Sequence, residues 1–148
     1  MHDQLTDGRT FRLFNVLDDF NREGLALKPT SRCVPCALSG HWTRSSNGGG
    51  KPGRLRCDNG PKFISQELEQ WADRHGIQLE FIQPGNPQQN AYVERYNRTV
   101  RYNWLSQYQF ESIQEVQDYA TRWLWFYNNE RPNKANGGLP PKHMLAAA

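Results

Sequence analysis

Two amphipathic segments in the C-terminal half of the chain restrict its fold more than any other feature. Apolar residues recur there every three or four positions, from about Asn90 to Gln107 and again from Ser112 to about Asn129. The first stripe contains Val93, Tyr96, Val100 and Trp104, and the second contains Ile113, Val116, Ala120, Trp123 and Tyr127. This spacing places each stripe on one face of an α-helix, and the aromatic side chains provide large apolar areas to bury. The sequence therefore predicts two helices packed against a core.

Strand signals precede these helices. Thr10 to Leu17 is rich in strand-forming residues, and the turn sequence Thr6 to Arg9 joins it to a short strand at Met1 to Leu5, which predicts a hairpin. A second ordered region follows later in the chain. Its predicted elements are a short strand from Arg54, a helix between Ser65 and Gly76, and a strand from Ile77 to Ile82.

The segment from Ala26 to Arg54 has a different character. It contains three prolines, six Ser or Thr residues and the run Asn47–Gly50, and no acidic residue lies between Glu23 and Asp58. Its apolar residues follow neither the period of a strand nor that of a helix, so we expect an irregular or disordered tract. The predicted divisions are a hairpin at 1–25, this tract at 26–54, an ordered part at 55–132 and a loop-like tail at 133–148.

Composition narrows the partners and the compartment. A formal net charge of +3 favours polyanionic partners. No apolar run approaches the length of a membrane span, and no leader sequence opens the chain, so we expect a cytoplasmic protein without a membrane partner. The three cysteines, Cys33, Cys36 and Cys57, are an odd number in a chain without a signal peptide, which argues against a disulfide framework. Cys33 and Cys36 with His41 form at best half of a zinc site.

Asp58 and Glu94 carry the clearest chemical pattern. Asp58 ends a predicted strand and Glu94 lies in a predicted helix, with 35 residues between them. The helix face opposite the apolar stripe contains Asn90, Glu94, Asn97, Arg98 and Arg101. Carboxylates on rigid elements are ligands for Mg²⁺ in phosphoryl transfer. Taken alone, Asp58 could be an ordinary turn residue and Glu94 an ordinary solvated side chain. Their spacing and sequence context favour a metal site instead.

Three motifs resemble insertion-sequence transposases of the retroviral-integrase superfamily. Cys57–Phe63 resembles the strand that carries their second catalytic aspartate. Pro84–Arg95 resembles the loop and helix that carry their glutamate, and Tyr127–Pro132 with Gly137–Pro141 resembles the elements that close their core. The gap of 35 residues is also characteristic of that family. The resemblance covers residues 55–145.

The resemblance implies an α/β fold, an RNase H-like integrase core with a mixed sheet flanked by helices, here incomplete and with an irregular segment. It implies that Asp58 and Glu94 are the second and third ligands of an acidic triad that binds Mg²⁺ or Mn²⁺. The implied DNA contacts are Asn90, Arg95, Arg98 and Arg101, for which a solvated helix face is the alternative. The implied partners are transposon-end and target DNA, further copies of the chain and a separate helix-turn-helix transposase protein in the bacterial nucleoid.

Two departures from the family lower the expected activity. The first aspartate of the triad belongs to the opening strand, and the chain is expected to begin just after it; Asp3 is the nearest substitute. The tract from Ala26 to Arg54 replaces a strand and a helix of the family, and our hypothesis is a frame-shifted stretch. Lys62 and Asn136 are smaller departures. We therefore expect a transposase fragment that is inactive alone or, as the alternative, a non-catalytic DNA-binding or oligomerising remnant.

Overall fold

A computed structural model describes residues 1–30, 53–57, 66–83, 85 and 87–147. Its elements are β1 (His2–Gln4), β2 (Thr10–Leu17), β3 (Gly24–Thr30), β4 (Arg54–Cys57), α1 (Gln66–His75), β5 (Gln78–Phe81), α2 (Ala91–Val100), α3 (Ile113–Asn129) and α4 (Pro141–Ala147). Short 3-10 turns cover Pro87–Asn90 and Lys134–Asn136, and a π-helical turn covers Arg101–Leu105. The chain divides into a first unit, Met1–Ser31 with Tyr92–Ala148, and a second unit, Arg32–Ala91.

The first unit contains an antiparallel sheet in the order β1-β2-β3. β1 pairs with β2 from His2 opposite Arg12 to Gln4 opposite Thr10, so the predicted hairpin is confirmed. Gly8 has a φ of 88° in the turn between them, a conformation that costs glycine little because it has no Cβ. β2 continues its pairing with β3, with a bulge between Val16 and Leu17.

The two predicted apolar stripes supply most of the core of the first unit, although Val93 is half-buried and lies outside it. Phe11 and Leu13 point to the same face of β2 and meet the stripes of α2 and α3. The buried members of this cluster are Leu5, Phe11, Leu13, Leu27, Tyr96, Val100, Trp104, Leu105, Phe110, Val116, Ala120, Trp123 and Tyr127. The second predicted helix is confirmed, and Ser112 caps it by accepting a hydrogen bond from the Glu115 amide. The first helix is confirmed in type, but it widens into the π-helical turn and ends at Leu105.

Three buried asparagines connect the loops of the first unit to its helices. The Asn128 side chain accepts a hydrogen bond from the Gly24 amide (2.8 Å) and donates one to the Gly24 carbonyl (2.9 Å). The Asn136 side chain donates to the Asn21 carbonyl (2.7 Å), and the Asn21 side chain donates to the Pro141 carbonyl (3.2 Å). Asn136 therefore occupies an interior position because it satisfies a buried backbone group.

The second unit contains a parallel pair of strands, β4 and β5, with Arg54 opposite Gln78 and Cys57 opposite Phe81. α1 connects them and buries Leu68, Trp71 and Ala72, as its periodicity predicts. Gly76 ends this helix with a φ of 65°. Ser65, the predicted start of this helix, lies outside the described residues.

Two predictions about irregular structure are wrong. Residues 26–30 belong to β3, where Ala26 and Leu27 are both buried, so the strand lacks the alternation that a half-exposed strand displays. Pro29 is compatible with a strand here because β3 lies at the edge of the described sheet. In the tail, residues 141–147 form α4, and Pro141 occupies its first position, which proline favours. The frame-shift hypothesis now concerns residues 31–52, which lie outside the described residues.

Candidate functional site

The first predicted site residue follows β4 directly. β4 ends at Cys57, and Asp58 lies outside the described residues. Burial raises the pKa of the Cys57 thiol to about 11, so this thiol is protonated near neutral pH and is a poor metal ligand or nucleophile. Cys33, Cys36 and His41 also lie outside the described residues.

Glu94 lies in the first turn of α2 and is exposed. The helix is fixed by Tyr96 and Val100, which are buried against the core on the other side. A carboxylate in this turn interacts favourably with the positive end of the helix dipole. Within the described part of the chain no ion pair involves Glu94. Carboxylate oxygens are the ligand type that a hard cation such as Mg²⁺ prefers, and the metal role of Glu94 stays a prediction.

Two of the four predicted DNA-contacting residues are open to solvent on the same helix. Arg95 and Arg98 are exposed, and Arg98 lies one turn beyond Glu94. Asn90 ends the 3-10 turn before α2 and is half-buried. Both guanidinium groups therefore lie on the solvent-exposed part of the helix that carries Glu94.

Arg101 differs from the other predicted DNA contacts because it has protein partners. One of its terminal nitrogens donates a hydrogen bond to the His2 carbonyl (3.0 Å), and the other lies 3.6 Å from the Asp3 carboxylate. These contacts attach the π-helical turn to β1. Helical spacing predicted that Arg101 lies on the polar face of the helix. Its contacts with β1 could not be predicted, because the two segments are about 100 residues apart in the sequence.

An asparagine pair connects β2 to α2. The Asn15 side chain donates a hydrogen bond to the side-chain oxygen of Asn97, which lies one turn beyond Glu94. Sequence reasoning missed Asn15, although its alternation with Phe11 and Leu13 assigns it to the helix-facing side of β2. This pair helps to fix the distance between the sheet and the helix that carries Glu94.

The position of Asp3 argues against its role as a substitute metal ligand. Asp3 pairs with Phe11 in the sheet, four residues and about 13 Å along β2 from Asn15. Arg101, its ion-pair partner, is seven residues and about 10 Å along the helix from Glu94. Asp3 and Glu94 are therefore too far apart to share one ion.

Comparison with known families identifies the chain. The integrase core domain family matches residues 1–87 with one of its models and residues 75–141 with another. The first match alone covers more than half of the chain. The chain belongs to the integrase core family.

The curated relatives of this integrase core are insertion-element proteins. It is 33% identical over 149 residues to the 39.2 kDa protein of insertion element IS476 of Xanthomonas euvesicatoria, covering 97% of this chain and 42% of the relative. It is also 32% identical over 144 residues to the 31.7 kDa protein of insertion element IS407 of Burkholderia multivorans. That match covers 97% of this chain and 52% of the relative. The chain spans about half the length of these relatives. The predicted kinship, an insertion-sequence transposase with an integrase-like core, is confirmed.

Solved structures establish the fold. The HTLV-2 integrase catalytic core in complex with magnesium has a TM-score of 0.70 at 18% identity, covering 97% of this chain and 90% of that one. The catalytic core of BIV integrase has a TM-score of 0.66 at 16% identity, and the match covers 99% of this chain and 91% of that one. The predicted fold class, an α/β integrase core of the RNase H type, is therefore confirmed.

Proposed function

We propose that this integrase core takes part in DNA transposition by metal-dependent phosphoryl transfer, cleaving and joining strands at the ends of an insertion element. The observation that supports this most directly is Glu94, an exposed carboxylate without an ion-pair partner among the described residues, on a helix fixed by buried aromatic and aliphatic side chains. The integrase core family and the insertion-element relatives provide the context in which such a carboxylate has a function.

In this proposal, Asp58 and Glu94 hold Mg²⁺ or Mn²⁺. A solved structure with a similar fold, the HTLV-2 integrase catalytic core, is in complex with magnesium. When bound, the ion supplies activation of the attacking hydroxyl and stabilisation of the leaving oxygen. Glu94 contributes an oxygen ligand whose position is set by α2, and the asparagine pair behind it keeps that helix at a fixed distance from β2.

The DNA backbone lies along the exposed face of α2 in this proposal. Arg95 and Arg98 supply guanidinium groups, which match phosphate geometry with two parallel hydrogen bonds. Asn90 adds an amide at the start of the helix. Arg101 contributes less, since a phosphate would have to compete with its contacts to His2 and Asp3.

Wider assembly is also part of the proposal. Related cores have been solved in dimeric and trimeric forms and, for the simian T-cell lymphotropic virus, in an intasome. We propose transposon-end and target DNA, further copies of the chain and a separate helix-turn-helix protein as partners, in the bacterial nucleoid. Across the described residues, no helix is long and apolar enough to cross a membrane.

Glu94→Gln is expected to weaken Mn²⁺ binding at least about 10-fold, because removing a ligand should cost no less than removing a residue that supports one. The amide signals of α2, broadened by the paramagnetic ion in NMR spectra, measure the affinity. Glu130→Gln is the matched control, since Glu130 is also exposed and lies beyond the end of α3. Equal broadening in the wild type and in Glu94→Gln would contradict the assigned ligand.

A polypeptide of these 148 residues is expected to cleave no transposon-end DNA with Mn²⁺, because Asp58 and Glu94 without a third carboxylate hold the ion weakly. A nicking assay on labelled ends tests this. Cleavage that disappears in Glu94→Gln would establish an active enzyme and overturn the expectation. Binding of DNA without Mn²⁺ dependence, and without cleavage in any longer chain, would favour the non-catalytic DNA-binding or oligomerising alternative.

A further inference from the structure

The first turn of α2 contains Glu94 but has no fully buried side chain. Its residues, from Ala91 to Arg95, are exposed except for the half-buried Val93, and burial begins only at Tyr96. Helix ends fray where few apolar contacts hold them. A contact from outside the helix is therefore needed if Glu94 is to keep one position.

Arg22 provides such a contact. Its guanidinium carbon lies 3.5 Å from the centroid of the Tyr92 ring, which is the geometry of a cation–π interaction. The Nε and one terminal nitrogen of Arg22 are buried, without a hydrogen-bond partner in the described part of the chain, and withdrawal of a cation from water strengthens its attraction to a ring. Tyr92 is 45% exposed and is the first residue of α2 that belongs to the first unit. The contact therefore attaches the helix where it enters that unit.

The loop that carries Arg22 is itself fixed by hydrogen bonds. The Arg22 amide donates to the Asp18 carbonyl (3.0 Å). The Asn21 side chain donates to the Pro141 carbonyl (3.2 Å), and the Asn21 carbonyl accepts a hydrogen bond from the Asn136 side chain (2.7 Å). Arg22 thus extends towards Tyr92 from a backbone that has little freedom to move.

The backbone of Arg22 adopts a conformation that arginine rarely tolerates. Its φ is 64°, and among the described residues it is the one non-glycine residue with a positive φ. Glycine and asparagine adopt this region at a lower cost, so an arginine here points to a use for its side chain. Asp18, Asp19 and Glu23 lie in the same loop, and their carboxylates disfavour an anionic ligand beside the guanidinium group. This leaves the contact with the Tyr92 ring as its use.

We propose that Arg22 is a positioning residue of the metal site. By holding the Tyr92 ring, it keeps the first turn of α2 formed and presents the Glu94 carboxylate in one place. The inference rests on the proposed function, in which Glu94 is a metal ligand. Tyr92 and Glu94 are two residues apart and lie on different sides of the same helical turn, so Arg22 acts through the backbone of that turn and does not touch the ion.

Amide hydrogen exchange of the 148-residue chain in EDTA tests the contact without a metal. The probes are the amides of Arg95 and Tyr96, whose helical acceptors lie in the first turn of α2. We expect Arg22→Asn and Tyr92→Leu each to accelerate this exchange about 5-fold, the effect of losing one partly exposed cation–π interaction. Asparagine tolerates the left-handed conformation, so Arg22→Asn leaves the loop backbone in place. Tyr92→Phe keeps the ring face and should exchange like the wild type.

The affinity for Mn²⁺, measured by the broadening of the α2 amide signals, distinguishes positioning from an effect of charge. Removing a positive charge by itself favours the binding of a cation, so charge alone predicts that Arg22→Asn binds Mn²⁺ more tightly. Positioning predicts the reverse, a loss of about 2- to 5-fold in Arg22→Asn and in Tyr92→Leu, because the affinity falls with the fraction of chains whose first turn is formed. Arg12→Gln is the control, since it removes the same charge from an exposed position on β2 and should not weaken binding.

Two results would overturn the inference alone. One is exchange at Arg95 and Tyr96 that is no faster in Arg22→Asn and Tyr92→Leu than in Tyr92→Phe. The other is Mn²⁺ binding by these two variants as tight as by Arg12→Gln, in a protein whose binding is lost in Glu94→Gln. A wild type whose α2 signals are not broadened by Mn²⁺ would instead overturn the proposed metal role of Glu94, and the positioning role would fall with it.

Discussion

Replacing Trp104 by alanine is expected to lower the free energy of unfolding by about 3–5 kcal/mol, the usual cost of removing a large aromatic side chain from a core. Trp104 is fully buried and stacks on Tyr119 with a centroid distance of 5.1 Å. It also meets Phe110 edge-on at 5.8 Å. Its indole N–H has no hydrogen-bond partner among the described residues, so the loss reflects packing alone. Urea unfolding followed by circular dichroism measures it.

Trp125→Ala provides the matched control for this prediction. Trp125 lies on α3 and is 58% exposed, so its removal leaves no cavity and should change the free energy of unfolding by about 0.5 kcal/mol or less. A loss for Trp104→Ala no larger than for Trp125→Ala would mean that the two helices are not held by the core described above. Most of a typical domain's stability, about 5–15 kcal/mol, would then have to come from elsewhere.

The two helices could be predicted because their information is local. A stripe such as Tyr96, Val100 and Trp104 repeats at helical spacing, and its burial follows from that spacing whatever it packs against. The same reasoning applies to the hairpin, where turn residues sit between two short strands. These elements needed no knowledge of the tertiary structure.

The missed elements depend on contacts between residues far apart in the sequence. β3 carries Ala26 and Leu27 as consecutive buried residues, and only its pairing with β2 identifies it as a strand. α4 is seven residues long and begins at a proline whose carbonyl is bound by Asn21. A segment this short forms a stable helix through tertiary packing, since isolated helices shorter than about 12 residues are marginal in water.

The candidate site was predictable where its information is local in the sequence. Glu94 and Arg98 were assigned to one helix face from their spacing, and Arg95 was added by the family resemblance. All three side chains are exposed in the structure. The contact between the Arg22 guanidinium and the Tyr92 ring could not be predicted from the sequence, because the two residues are 70 positions apart. The metal role of Asp58 stays a prediction.

Asn128→Ala is expected to destabilise the first unit by about 2–4 kcal/mol. The substitution removes both hydrogen bonds between the side chain and the Gly24 backbone, at 2.8 and 2.9 Å. It leaves a buried amide and a buried carbonyl without these partners, and each unsatisfied group costs about 1–3 kcal/mol. The Gly24 backbone is closely packed on its other side, because a Cβ built on Gly24 would lie 2.5 Å from Leu124 and 2.8 Å from the Tyr96 hydroxyl. Urea unfolding again provides the measurement.

Asn129→Ala is the control that distinguishes the loss of the Asn128–Gly24 hydrogen bonds from a general effect of substitutions at the end of α3. Asn129 is the next residue, and its side chain donates one solvent-exposed hydrogen bond to the Trp125 carbonyl (2.8 Å), so its loss should cost about 1 kcal/mol or less. Equal decreases in the free energy of unfolding for the two variants would show that the hydrogen bonds between Asn128 and Gly24 do not stabilise the first unit.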